Sequence, residues 1–132
     1  MRAGPAAAAA VLTLVLIAAA SLSHAQTAGD PVGSGDAEAG DLDFQTQCVM
    51  CHAPEGGGVG PSLTGVVGRK AGSAPGFAYS AALKASGVVW TDKTLNAWIT
   101  DPQAFIPGAA MPFKLDDAKM RADIIAYLGT QK

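Results

Sequence analysis

Cys48-Val49-Met50-Cys51-His52 constrains this chain more than any other stretch. Two thiols about one helical turn apart can add to the two vinyl groups of a single porphyrin. The residue after the second thiol then places an imidazole under the ring. The spacing is that of a c-type haem attachment site, with Cys48 and Cys51 as thioether anchors and His52 as the proximal ligand to iron. Three plainer uses of the pattern compete. A structural zinc site needs four ligands, and the chain holds no other cysteine. A thioredoxin-like redox pair calls for a βαβ setting, whereas the flanks read as helix and loop. A disulfide between cysteines this close would close a tiny loop and add little stability.

The N-terminus reads as a targeting segment. Arg2 precedes the apolar run Ala6 to Ala20, and Ser23-His24-Ala25 follows. A basic start, a short apolar stretch and an A-x-A-like exit predict a secretory signal over residues 1–25. The run falls short of the roughly 20 residues that span a bilayer, which favours cleavage over a retained anchor. Export suits haem attachment, which takes place outside the cytoplasm. Without residues 1–25 the chain keeps eight Lys and Arg against eleven Asp and Glu, a formal charge of −3. A mildly acidic surface argues against a nucleic-acid partner. Residues 26–39, rich in Gly, Ser and Asp, read as a flexible lead-in, and 40–132 as one domain.

Within that domain, Gly40 to Cys51 reads as a first helix, capped by Asp36 or Asp41, with Leu42, Phe44 and Cys48 near one face. Gly and Pro between Ala53 and Gly76 predict loop. A short helix fits Tyr79 to Lys84. Another opens at Thr91-Asp92-Lys93, carries Leu95, Trp98 and Ile99, and stops before Pro102. The last begins at Asp116 or Asp117 and repeats Met120, Ile124, Tyr127 and Leu128. No segment alternates for long, so the expected fold is all-α, with four to five short helices and long loops. A domain of this size with so much loop has a thin core, and an enclosed macrocycle would thicken it.

The distal ligand decides the chemistry. With the leader gone, His52 is the one histidine, which excludes two histidines from this chain. Met50 lies between the anchors, Met120 falls on the apolar stripe of the last helix, and Met111 lies in the stiff loop Ile106-Pro107-Gly108-Ala109-Ala110-Met111-Pro112-Phe113. A thioether on a proline-bounded strap can be held against iron, so Met111 is the expected sixth ligand. The competing possibility is a five-coordinate iron that binds gas or peroxide.

On these residues the chain resembles the class I cytochromes c, of the bacterial kind close to the mitochondrial protein. The likeness runs from about Gly40 to Leu128. It comprises Cys48 to His52, Gly60-Pro61-Ser62-Leu63, Gly68-Arg69-Lys70-Ala71-Gly72, Ala74 to Ser80, Val88-Val89-Trp90, Ile106-Pro107-Gly108 with Met111, and Arg121 to Leu128. The resemblance implies that the carbonyl of Pro61 accepts from the far nitrogen of His52. It implies that Tyr79, Trp90 and Arg69 solvate the haem propionates, although Arg69 alone also reads as a surface cation. Gly40 and Phe44 should cross Ile124 and Tyr127. Several positions depart from the mitochondrial pattern. Leu83 replaces an asparagine, Trp98 a tyrosine and Ala109 a threonine, while Gln103, Ala104 and Ala110 replace lysines at the haem edge. The loop from His52 to Pro61 is also shorter.

The expected function is a soluble periplasmic electron carrier and not an enzyme. One covalent haem c would pass single electrons between a membrane-bound cytochrome complex and a terminal oxidase or reaction centre. The alternative is the dedicated electron-accepting subunit of a periplasmic dehydrogenase. The expected form is a monomer with no stable membrane insertion, and the site residues are Cys48, Cys51, His52, Pro61, Arg69, Tyr79, Trp90 and Met111.

Overall fold

A computed structural model describes Met1 and residues 35–56 and 58–132. The leader expected over 1–25, and most of the lead-in expected over 26–39, lie outside the described residues. Among the described residues five helices run in the order α1 (Ala37–Gln47), α2 (Ala81–Ala85), α3 (Asp92–Thr100), α4 (Pro102–Phe105) and α5 (Ala118–Thr130). An isolated antiparallel bridge pairs Lys70 with Val89. Among the described residues no helix is long and apolar enough to cross a membrane.

Every helix start has a side-chain cap. Asp36 accepts from the backbone of Glu38 and Ala39, so α1 opens at Ala37 and not at Gly40. The last residues of the expected lead-in are therefore helical. Ser80 caps α2, Thr91 and Thr94 form a reciprocal capping box on α3, and Asp117 caps α5. Each such cap is worth about 1 kcal/mol. The one-turn helix α4 falls where the sequence predicts only the end of α3. Pro102 ends α3, yet it also opens α4, because a first helical residue needs no N–H donor. Asp101 caps it from outside, accepting from Gln103 and Ala104.

Helix α1 stops sooner than expected. The carbonyl of Phe44 takes the N–H groups of both Cys48 and Val49, at 2.8 and 3.1 Å, which closes the helix at Gln47. A turn follows in which Cys51 and His52 both donate to the carbonyl of Cys48. Leu42 corrects the expected apolar face, being 65% exposed, whereas Phe44 is buried.

The core lies where α1 crosses α5, and α3 packs against α5 beside it. Ile124 and Ile125 are 1% exposed, and Leu128, Phe44, Leu95 and Ile99 complete the cluster. The rings of Phe44 and Tyr127 sit 5.3 Å apart. Gly40 is obligatory at the crossing, because a Cβ there would run into the carbonyl of Asp123 and the Cβ of Tyr127. Asp123 is buried in the same place, where it accepts from the backbone N–H of Asp36 at 2.7 Å and pairs with Lys119. The Lys119 ammonium, and then the Asp36 N–H, hold its carboxyl below the usual carboxylate range.

Candidate haem site

The Cys48 to His52 turn leads off the end of α1 with Met50 and Cys51 exposed and Cys48 and His52 half-buried. His52 is fixed there from two sides. Its Nδ1 lies 2.8 Å from the carbonyl oxygen of Pro61. A carbonyl can only accept, so Nδ1 carries the proton and Nε2 keeps a free lone pair. Gly60 packs on the ring, where a Cβ would meet Nδ1 at 2.6 Å. The N–H of Gly60 in turn donates to the carbonyl of Cys51 at 2.8 Å, closing the loop over the histidine. The two cysteines form no disulfide, Cys48 being half-buried and Cys51 exposed. Before haem attachment, burial first, then the neighbouring Cys51 and Asp43, pushes the Cys48 thiol up to about 11.

These groups open onto a cavity of about 220 Å³. Phe44, Leu63, Val66, Leu83, Leu95 and Ile99 form much of its wall. Protein interiors pack as tightly as organic crystals, and a volume of this size inside an apolar shell suits a large apolar group. Its polar lining is sparse and specific. Cys48, Cys51, His52, Pro61, Arg69, Tyr79, Trp90 and Met111 all face it, so every residue expected at the site from the sequence is gathered around one space. Met120 does not line it. It is half-buried against the core, as its place on the apolar stripe of α5 predicts.

The loops that hold Arg69, Tyr79 and Trp90 are tied to one another. Trp90 donates to the carbonyl of Arg69 at 2.9 Å and Gly68 to that of Trp90 at 2.7 Å. The Arg69 guanidinium donates to the carbonyls of Ser62 and Thr64 at 3.0 and 2.9 Å. Those two bonds lock its position and leave three of its five N–H groups over. The side chain is half-buried at the cavity wall, rather than lying free on the surface. The Tyr79 ring packs edge-on against Phe77 at 4.8 Å. Trp90 and Trp98 lie 5.3 Å apart. The three replaced pocket positions separate here. Leu83 and Trp98 line the cavity directly, whereas Ala109 is buried beside it. Gly60 and Phe77 escaped the sequence reading as positioning residues, and only their flanking motifs pointed to them.

Comparison with known proteins decides the family. The cytochrome c family model matches residues 37–132. The chain belongs to the cytochrome c family. Cytochrome c2 of Rhodopila globiformis is 48% identical over 101 residues, covering 74% of this chain and 95% of that protein. Cytochrome c2 of Rhodomicrobium vannielii is 45% identical over 113 residues, covering 83% and 85%. Among solved structures, cytochrome cH from Methylobacterium extorquens superimposes with a TM-score of 0.69 at 49% identity. That match covers 73% of this chain and 99% of cytochrome cH. The helical fold, the class I assignment and the covalent haem c follow from this membership, and so does the role of electron carrier rather than enzyme. The chain therefore works by meeting redox partners.

Proposed function

We propose that this cytochrome c is a soluble periplasmic carrier, moving single electrons between respiratory or photosynthetic complexes, in which His52 and Met111 would hold the haem iron. The observation that carries this reading is the convergence of Cys48, Cys51, His52 and Met111 on one apolar cavity. When bound, the haem supplies reversible exchange between Fe(II) and Fe(III).

The chain's own residues set the terms of that exchange. Cys48 and Cys51 fix the macrocycle covalently. The Pro61 carbonyl holds the His52 ring and raises its basicity through the Nδ1 proton. The soft thioether of Met111 favours the reduced iron and so a high potential. Arg69, Tyr79 and Trp90 supply donors for the propionates, which would be costly to bury unpaired. The apolar walls would keep water from the haem, and His52 and Met111 together would hold the iron against oxygen or peroxide. Support for a periplasmic setting comes from the leader reading of residues 1–25 and from the likeness to bacterial cytochromes c2 and cH.

A visible spectrum with a redox titration tests the proposal. The oxidised holoprotein should be low-spin with a weak red-region band from sulfur ligation, and should titrate as a single reversible one-electron centre. A high-spin oxidised spectrum would mean an open sixth position and overturn it in favour of a sensor or a peroxidase-like protein.

A further inference from the structure

The segment that carries Met111 has little backbone support of its own. Ala109 donates to the carbonyl of Ile106 at 3.0 Å, and Leu115 to that of Ile99 at 3.0 Å. Between them, residues 110–114 make no backbone-to-backbone hydrogen bond among the described residues. Side chains tie the segment instead. At its far end Lys114 pairs with Asp101 at 2.5 Å. In its middle a single amide acts, with Nε2 of Gln103 2.5 Å from the carbonyl oxygen of Ala109 and 3.1 Å from that of Met111. Both partners are acceptors, so the amide nitrogen must face them, and it has one hydrogen for each. Gln103 is itself well anchored. It follows Pro102 in α4, and its own N–H donates to the Asp101 carboxylate at 3.1 Å.

We propose that Gln103 is a positioning residue whose amide clamps the strap on both sides of Ala110 and keeps the Met111 thioether presented to the cavity. The proposal rests on the reading of Met111 as the distal ligand. Without the amide nothing ties the middle of the strap, and the fraction of molecules with Met111 swung out increases. An added ligand binds only that open fraction, so its apparent affinity scales with the fraction. Two hydrogen bonds of ordinary net strength make the expected change about tenfold.

Imidazole titration of the oxidised holoprotein, followed by the visible spectrum, reads this directly. Gln103→Leu removes the donors. Gln103→Glu keeps the shape and turns an acceptor toward both carbonyls. Each should raise imidazole affinity about tenfold and weaken the sulfur-to-iron band. Asp123→Asn, which loosens the α1–α5 crossing away from the strap, should leave both readouts unchanged. Unaltered imidazole affinity in both Gln103 variants, or an equal rise in Asp123→Asn, would overturn the clamp. Met111→Ala separates the two layers of argument. If it keeps the band, Met111 is not the ligand and the proposal falls with that reading. If it abolishes the band while the Gln103 variants behave as wild type, only the clamp fails.

Discussion

His52 and Gln103 stand at opposite ends of what single residues disclose. The role of His52 is local, because the thiols that anchor the macrocycle are its own chain neighbours and Pro61 lies nine positions on. The pentapeptide therefore names its chemistry before any fold is known. Gln103 is the reverse case. In the sequence it is only a missing lysine, and its amide acquires meaning when α4 and the strap turn back on each other. The two methionines fall between these extremes. Met111 was legible from its proline-bounded loop, and Met120 from its helical spacing, and the structure places only the first at the cavity. Met111→Ala should abolish the sulfur-to-iron band, lower the potential and admit cyanide or carbon monoxide readily. Met120→Ala should leave the spectrum alone. Because Met120 is only half-buried, its loss should cost about 1–2 kcal/mol, below the range for a fully buried side chain. Visible spectra and chemical unfolding of the two variants check both statements, and exchanged phenotypes would reverse the ligand assignment.

At the scale of elements, helix starts are readable where a cap precedes a clear apolar stripe, as at Thr91 and Asp117, whereas the short helix expected from Tyr79 opens only after its Ser80 cap. Asp36 is a candidate cap in the sequence, yet the Gly- and Ser-rich stretch before Gly40 masks where α1 starts. The α1–α5 crossing shows why the cap matters beyond its own helix. The N–H of Asp36 reaches Asp123 on α5, so one carboxylate serves both elements and the Lys119 pair. Asp123 has its pKa lowered by folding, so its contribution is present above the unfolded value of about 4 and fades as pH falls through the folded value. Asp123→Asn keeps an oxygen for the Asp36 N–H and loses the ion pair. The variant should be less stable than wild type at pH 7, and the gap should narrow steadily below about pH 4. Denaturant midpoints across that range test it, and a gap that widens in acid would mean that the carboxylate is not held ionised by the fold.

For the molecule as a whole, the question is how it meets its partners. In mitochondrial relatives a ring of lysines at the haem edge steers the encounter, and Gln103, Ala104 and Ala110 stand at three of those places here. Lys70, Lys84 and Lys114 are the candidate rim cations that remain. The structure removes one of them, since the charge of Lys114 is answered by Asp101, whose own carboxyl is held low chiefly by the Lys114 hydrogen bond. What lines the cavity on its exposed side is mostly apolar, with Val59 81% exposed and Ala110, Pro112 and Phe113 beside the same space, and Gln47 the uncharged polar exception. Long-range steering by charge can raise association rates by roughly 10-fold to 1,000-fold and is screened by salt. Apolar contact acts at short range and is not. With few free cations and an apolar mouth, docking should depend on contact rather than on charge. Stopped-flow electron transfer with the chain's own partner should then change by less than about threefold as salt rises tenfold from low ionic strength. Val59→Asp should slow it clearly at every salt concentration, because a charge at the mouth must be desolvated in the docked pair. Lys84→Ala should have little effect. A rate that falls steeply with salt, and falls again in Lys84→Ala, would show that the remaining cations direct the encounter after all.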